Sequence, residues 1–282
     1  MKWESSLARA RARLKLLLPV LAGFAVFLAT AAETPVTISE LPPKARQAIE
    51  THVGTAKLGK ITRSVDGCDV TYDVEITRDG RDRGLTVNDA GELLETEVFM
   101  RELPRPVARA IRERIGRGAP DSIFKNHADG EVSYDVAFTK EGKERDFTVD
   151  EKGELLDEEV FQDELPPQVN SAIQKHVAGL KPGDIYKTRD EGKVYYEVEF
   201  ERNGKTRTVA FDEKGVVAYE DEPVSFSDLP QAARDAAKAS LGDATPCSVN
   251  KHIEGDDVSC EIEFKKDGKT ESITVAADGK AD

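Results

Sequence analysis

The stretch Val132–Phe138 reads Val-Ser-Tyr-Asp-Val-Ala-Phe, and it decides the fold class because a closely similar stretch occurs four times along the chain. In each copy the apolar residues fall at every second position, so one face of an extended strand is apolar and the other carries Asp, Glu or small polar groups. This alternation predicts a half-buried antiparallel strand. The other three copies are Val70–Ile76, Val194–Phe200 and Val258–Phe264.

A Leu-Pro pair precedes each of these strands and predicts the start of a helix, because proline is favoured in the first helical turn. The pairs are spaced by 62, 62 and 64 residues. Apolar residues recur one turn apart after each pair and predict an apolar stripe on a helix of about three turns. The four leucines of these pairs are Leu41, Leu103, Leu165 and Leu229.

Turn residues divide the remainder of each repeat into strands. A first strand is centred on Ile61, Ile123, Ile185 or Val249, and the alternating strand follows it. A two-residue turn with Gly in second place then predicts a tight hairpin to a third strand, and an Asp-containing turn closed by Gly leads to a fourth. The hairpin turns are Asp79-Gly80, Glu141-Gly142, Asn203-Gly204 and Asp267-Gly268.

The predicted fold is therefore α+β, built from tandem α-β-β-β-β repeats in which each helix packs on a four-stranded antiparallel sheet. The predicted repeats span residues 33–98, 99–160, 161–224 and 225–282, and the last one lacks its fourth strand. A unit of about 60 residues buries a thin core by itself, so we expect neighbouring repeats to pack side by side or to extend one another's sheets.

The first 32 residues read as a secretory signal peptide. Five basic residues precede an apolar run, and small residues end at Ala32, where cleavage is expected. The alternative is an uncleaved membrane anchor, because the charge-free run Leu16–Ala32 has 17 residues, near the lower limit for crossing a bilayer. The expected location is periplasmic or secreted, and a membrane association is expected only if the leader is retained.

The charge of the chain argues against nucleic acid as a partner. The formal net charge is −14, and the first 32 residues contribute five basic groups and one acidic group, which leaves −18 on the remainder. A surface of this sign repels phosphate backbones. The expected partner is a protein in the envelope or outside the cell.

The chain has three cysteines, and export would place them in an oxidising compartment. Cys247 and Cys260 fall on neighbouring predicted strands with side chains on the same face, so they are the candidates for a disulfide, although their inferred register is diagonal. Cys68 is left over near a turn, as a free thiol or an intermolecular link.

The combination of a secretory leader, Leu-Pro helices, Tyr-x-Val strands and Asp-x-x-Gly turns in tandem resembles the PepSY-like family, the β-lactamase-inhibitor-like group of exported bacterial proteins. The resemblance covers nearly all of residues 37–282. It implies a helix laid on one face of a curved antiparallel sheet whose other face is open. In the inhibitors of this group, two such units present the open face and a hairpin tip to an enzyme, and by position that hairpin corresponds here to Arg78–Arg81.

The polar face of the alternating strands supplies the candidate partner-binding residues. An open face of carboxylates could recognise a basic protein surface or collect divalent cations, and the alternative is a solvated face that keeps the protein soluble. The candidates, including the acidic residue of the first hairpin tip, are Asp73, Glu75, Asp79, Asp135, Glu197, Glu199, Glu261 and Glu263.

No catalytic motif stands out in the sequence, which has no Gly-x-Ser-x-Gly, His-Glu-x-x-His or phosphate-binding glycine loop. His52 and His176 occupy the same place near a helix end, where a cation complements the helix dipole. We therefore predict a non-enzymatic binding protein without cofactor or metal, possessing inhibitory or regulatory action on a secreted or envelope protein. The alternative is an acidic, cation-binding envelope protein.

Overall fold

The computed structural model describes residues 33–280 except positions 129, 191, 267 and 268. It contains sixteen antiparallel strands and four α-helices, and this confirms the α+β class. The predicted signal peptide lies outside the described residues. None of the helices in the described part of the chain has the length and apolar character needed to cross a membrane.

The four helices have eleven residues each and begin directly after the proline of a Leu-Pro pair. A short 3-10 turn precedes each helix, and an acidic side chain in that turn accepts a hydrogen bond from the backbone three residues earlier. Glu102, for example, accepts from the Phe99 N–H at 3.0 Å. The helices are α1 (Pro43–Val53), α2 (Arg105–Ile115), α3 (Pro167–Val177) and α4 (Gln231–Leu241).

Within each of two compact units, the strands pair with their neighbours in chain order, and tight hairpins connect many of them. The chain divides into two compact units, of which the first comprises described residues 33–65 and 69–159 and the second comprises 66–68 and 160–280. The boundaries of the four predicted repeats stay a prediction.

The strands that begin in the first unit are β1 (Thr34–Val36), β2 (Lys57–Asp66), β3 (Asp69–Arg78), β4 (Arg81–Asn88), β5 (Leu93–Glu97), β6 (Ser122–Ala128), β7 (Glu131–Lys140), β8 (Lys143–Asp150) and β9 (Leu155–Glu159). The strands of the second unit are β10 (Pro182–Asp190), β11 (Lys193–Arg202), β12 (Lys205–Asp212), β13 (Val217–Pro223), β14 (Pro246–Glu254), β15 (Asp257–Lys266) and β16 (Lys269–Ala276).

Each helix covers the apolar face of its sheet. In α2, Val107 and Ile111 are fully buried and pack in one cluster with Val136, Phe147 and Val149 of the strands. The same arrangement produces an apolar cluster under each of the other three helices. The tyrosines of the alternating strands lie in these clusters, as core packing predicts. The clusters fix the helix-covered face, so the opposite face is the one available for other chemistry.

The turn between β8 and β9 packs directly against the start of α2, because Gly153 in this turn has no side chain. Gly153 has φ +80°, and a Cβ added to it would lie 2.7 Å from the carbonyl oxygen of Pro106 at the start of α2. Asp150 Oδ1 prepares this turn by accepting the N–H groups of Lys152 at 2.9 Å and Glu154 at 2.7 Å. The Asp-x-x-Gly signal is thus a packing requirement as well as a turn signal.

Candidate functional site

The structure places the eight predicted carboxylates in three different environments. Glu75 and Asp79 are exposed, and Glu199, Glu261 and Glu263 are partly exposed. Asp73, Asp135 and Glu197 are buried, so the expectation of an open carboxylate face is wrong for these three. The physical reason is that hydroxyl groups of neighbouring strands bind them within the sheet. Strand alternation predicted their face correctly and could not predict how far that face is covered.

In the first unit, a threonine on the middle strand binds the carboxylate of the strand before it. Asp73 lies opposite Thr86, and Thr86 lies opposite Glu95. The Thr86 hydroxyl donates to Asp73 Oδ1 at 2.8 Å, and Glu95 Oε2 lies 3.4 Å from the Thr86 hydroxyl oxygen. A hydroxyl has one proton, so Asp73 takes the stronger bond.

The same row recurs further along the first unit. Thr148 lies between Asp135 and Asp157 on the adjacent strands. Its hydroxyl contacts Asp135 Oδ1 at 2.8 Å and Asp157 Oδ1 at 3.1 Å. Thr148 is completely buried. Two such rows in one unit show that carboxylates around a threonine are a regular feature of this face.

One row of the second unit has a tyrosine in place of this arrangement, whereas the other keeps a threonine, Thr274, opposite Glu261. Ala210 occupies the place of the threonine, opposite Glu197 on one side and Tyr219 on the other. The Tyr219 hydroxyl reaches past the alanine and donates to Glu197 Oε1 at 2.8 Å, and Thr188 donates to the same oxygen at 3.0 Å. Burial and the neighbouring negative charge of Glu197 raise the pKa of Tyr219 well above its usual value, so it remains a donor.

An aromatic and ionic group lies beside Tyr219. His252 Nδ1 is 2.7 Å from Asp221 Oδ1, and Asp221 is almost completely buried. The Tyr219 ring lies 5.4 Å from the His252 ring and 6.5 Å from the Tyr195 ring. Sequence reasoning missed Tyr219, Asp221 and His252 as a group, although the departure from the 62-residue repeat at Ala210 and Tyr219 was a readable signal.

Glu199 is a carboxyl group of this face whose protonation is perturbed by its surroundings. Burial, followed by the negative charges of Asp184 and Glu197, raises the pKa of Glu199 to about 7. A Cβ added to Gly183 would lie 3.0 Å from the Glu199 carbonyl oxygen, so β10 lies close to the β11 backbone at this point. Three acidic side chains are therefore held near one another on the second unit's sheet.

The first three hairpin tips are exposed and share one turn conformation. Asp79 and Glu141 have φ of +53° and +54° and are each followed by a positive-φ glycine, as the two-residue hairpin signal predicts. Arg78, before the first turn, donates to the carbonyl oxygens of His52 at 2.8 Å and Val53 at 3.2 Å, at the end of α1. This contact ties the hairpin tip to the helix.

The first unit also carries a group of arginines around one aromatic ring, and we call Arg81, Arg83, Phe99 and Arg101 the Phe99 arginine cluster. The guanidinium carbons lie 5.3, 4.5 and 5.7 Å from the ring centroid, respectively. Glu102 accepts two hydrogen bonds from Arg83, at 3.0 and 2.7 Å. Sequence reasoning assigned Arg78–Arg81 to a hairpin tip but missed the Phe99 ring, which gathers Arg81, Arg83 and Arg101.

The cysteines pair differently from the prediction. Cys68 and Cys247 form a disulfide with Cα atoms 5.0 Å apart, whereas Cys260 is a buried free thiol, so the predicted Cys247–Cys260 bond is wrong. The register places Cys260 opposite Lys251, four residues along the strand from Cys247, or about 13 Å away. A disulfide requires Cα atoms within about 7 Å. Burial raises the pKa of the Cys260 thiol.

The alternative, cation-binding function would require a set of metal ligands. Within residues 33–280, apart from the four undescribed positions, no group of three or more His, Cys, Asp or Glu side chains is arranged to hold a metal ion. The cation-binding function stays a prediction.

Solved structures of Bacteroides proteins resemble parts of this chain. A DUF2874 family protein from Bacteroides ovatus is 20% identical with a TM-score of 0.36, and the match covers 42% of this chain and 84% of that one. A BLIP-like protein from Bacteroides fragilis is 22% identical with a TM-score of 0.31, covering 42% and 84%. A "putative calcium-regulated periplasmic protein" from Bacteroides thetaiotaomicron is 16% identical with a TM-score of 0.30, covering 45% and 95%.

No curated protein matches the sequence. The family model described as "Putative beta-lactamase-inhibitor-like, PepSY-like" matches residues 29–95, 132–203 and 194–280. These segments together span more than half of the chain and are consistent with a repeated architecture. The chain therefore belongs to the PepSY-like, β-lactamase-inhibitor-like family.

Proposed function

We propose that this chain is an exported, non-enzymatic binding protein that engages a protein partner in the envelope or outside the cell through the hairpin ends of its sheets. Its regulatory or inhibitory action would follow from occupying a surface of that partner. Membership of a family described as inhibitor-like supports a binding role, and the leader-like first 32 residues support export.

The observation that carries the proposal is the contrast between the hairpin tips and the sheet face. Asp79, Lys140 and Glu141 at the tips are exposed. In contrast, Asp135 and Glu197 on the sheet face are buried and bound by hydroxyls of the same sheet. Side chains already bound inside the sheet have less to offer a partner than exposed ones on rigid turns, because a partner would first have to break those bonds.

The test is affinity capture from envelope and culture-fluid fractions of the native organism, with the full chain as bait and mass spectrometry to identify what is retained. The tip variant carries Asp79→Asn, Lys140→Ala and Glu141→Asn, because asparagine tolerates the left-handed turn conformation. The retained protein is then purified and its Kd for each bait is measured by calorimetry. We expect at least tenfold weaker binding by the tip variant.

The matched control changes the same charges on exposed helix positions, with Glu50→Gln, Arg109→Ala and Glu113→Gln. This variant should bind the partner as the unchanged chain does. Equal binding by all three baits would exclude the hairpin tips as the contact surface. A retained protein that shows no binding after purification would contradict the proposed function.

A further inference from the structure

The Phe99 arginine cluster concentrates positive charge on a chain whose net charge is −14. Three guanidinium groups lie within 6 Å of the Phe99 ring centroid. The only carboxylate that the described structure pairs with these arginines is that of Glu102. Its two oxygens are taken by Arg83, and the nearest approach of Arg101 is 4.0 Å. Arg81 and Arg101, both exposed, therefore keep most of their hydrogen-bonding capacity.

The equivalent positions of the other predicted repeats separate the arginines that serve the fold from those that do not. Arg83 recurs as Arg145 and Arg207 at the 62-residue spacing, which fits a structural role. Arg101 corresponds to Asp163, and a 3-10 turn of the same kind forms there, at Gln162–Glu164. The fold therefore does not require arginine at position 101, whereas the equivalents of Arg81 are all basic, as Lys143, Lys205 and Lys269. The first predicted repeat alone has arginine at all three positions in the sequence.

The geometry suits a carboxylate ligand. A guanidinium group held against an aromatic ring has lost part of its conformational freedom and still presents its N–H edge for bidentate bonding. Neighbouring Arg81 and Arg101 could each take one carboxylate of a peptide that has two acidic residues close together. Their mutual repulsion, which opposes the arrangement in the free protein, would be relieved on binding.

The charge of the remaining surface selects among anionic partners. A long polyanion such as nucleic acid would extend beyond the cluster and meet the acidic remainder of the chain, which repels it. A short acidic segment contacts the cluster alone. Asp79 and Asp82 on the adjacent hairpin are also exposed, and they limit the attractive area to the side of the ring where the arginines lie.

We infer that the Phe99 arginine cluster is a docking surface for a short acidic segment of a protein partner, with Arg81 and Arg101 as the carboxylate-binding residues and Arg83, bound to Glu102, as the structural member of the cluster. This inference rests on the proposed protein-binding function and specifies the chemistry of one partner. It concerns residues outside the eight carboxylates predicted from the sequence.

The test uses a fluorescein-labelled octapeptide containing four glutamates, its glutamine counterpart, and a single-stranded thymidine oligomer of equal charge. Fluorescence anisotropy with the full chain at low salt gives a Kd for each probe. We expect the glutamate peptide to bind at least tenfold more tightly than either other probe, and its affinity to fall as salt is added.

Two variants assign the binding to the cluster. Arg81→Ala with Arg101→Ala should weaken binding of the glutamate peptide at least tenfold, and Arg101→Asp, which copies the equivalent Asp163, should do so while the circular dichroism spectrum is retained. Arg109→Ala with Arg112→Ala removes the same charge from exposed positions of α2 and should leave the Kd within about twofold.

The inference is overturned if the helix variant weakens binding as much as the cluster variant, if the thymidine oligomer binds equally tightly, or if the glutamate peptide does not bind. The proposed function stands after any of these outcomes if the hairpin-tip variant still binds the retained protein more weakly than the unchanged chain does. The two experiments are independent because they change different residues. Loss of both effects would contradict both proposals.

Discussion

Thr148 in the first unit and Tyr219 in the second unit both donate a hydroxyl to a buried carboxylate, but from different strands of the sheet. Thr148 lies on the middle strand, directly opposite Asp135. Tyr219 lies one strand further away and reaches Glu197 across Ala210, the residue that takes the threonine's place. In both arrangements a hydroxyl group from a neighbouring strand donates a hydrogen bond to the buried carboxylate.

The difference teaches that the two faces of the sheet are under separate constraints. The helix-covered face keeps the same kind of apolar cluster in both units. The polar face can change its side chains while Asp135 and Glu197 each still receive a hydroxyl donor, because an unbound buried carboxylate would be costly. The Thr148 row and the Tyr219 row therefore share a fold and differ in the chemistry of the polar face, and the following changes test that separation.

Loss of the disulfide should produce the largest difference between the units. Cys68 and Cys247 both belong to the second unit and are separated by 179 residues in sequence. Removing a crosslink that closes a loop of this size should lower the free energy of unfolding by about 4 kcal/mol, because the unfolded chain gains conformational freedom. Denaturant unfolding of Cys68→Ser, Cys247→Ser and the double variant measures this.

The two single variants and the double variant should show the same decrease in the free energy of unfolding, because each of them lacks the same disulfide. Hydrogen exchange should show the loss mainly in the second unit. Peptide mapping without reductant supplies the chemical check. A linked Cys247–Cys260 peptide, or additive losses in the two single variants, would contradict the pairing.

Alanine at the turn glycines should destabilise both units by the same mechanism. Gly153→Ala and Gly215→Ala should each cost about 3 kcal/mol, because both glycines have positive φ and an added Cβ would meet a helix carbonyl oxygen at 2.7 Å. Thermal and denaturant unfolding measure the cost. Gly142→Ala is the control, since φ is +78° there and nothing lies near the added Cβ. We expect it to cost about 1 kcal/mol, from backbone strain alone.

Removing the Tyr219 hydroxyl should destabilise only the second unit, and removing the Thr148 hydroxyl should destabilise only the first. Tyr219→Phe removes a hydroxyl donor from Glu197 and should destabilise the second unit by about 2 kcal/mol. Thr148→Val should destabilise the first unit by a similar amount, because it removes the hydroxyl donor from Asp135. Hydrogen exchange followed by mass spectrometry reports each unit separately. Tyr72→Phe, in the apolar cluster under α1, is the control and should change little. Equal protection loss in both units from one variant would contradict the separation.

Glu199→Gln should give the smallest effect and the one that depends on pH. The folded pKa of about 7 lies above the usual 4.5, so the folded state binds the proton more tightly. Stability conferred by the protonated carboxyl is complete below about pH 4.5 and is lost as the pH rises through about 7. The variant should therefore be more stable than the unchanged chain at pH 8, by about 1 kcal/mol after allowance for solvent screening.

Unfolding curves of Glu199→Gln at pH 4, 6 and 8 measure this dependence. The exposed Glu75→Gln removes the same charge from the corresponding position of the first predicted repeat and should change stability by no more than about 0.5 kcal/mol at each pH. A Glu199→Gln variant that is less stable than the unchanged chain at pH 8 would contradict the assigned cause, the burial of Glu199 near Asp184 and Glu197.

The secondary structure could be read from the sequence because its signals are local. The Leu-Pro pairs mark the helix starts, period-two alternation marks strands such as β7, and Asp79-Gly80 marks a hairpin whose turn residues have positive φ. Each signal depends on the conformational preferences of a few adjacent residues. The same alternation assigned Asp135 to the polar face and Tyr134 to the apolar face.

The tertiary structure decided everything that depends on residues distant in sequence. It paired Cys247 with Cys68 rather than Cys260, buried Asp73, Asp135 and Glu197, and gathered three arginines on Phe99. Periodicity states which face a side chain occupies, but the cover on that face and the partners across it come from strand register and chain packing. Those are set by the whole sheet, so no single stretch of this sequence contained them.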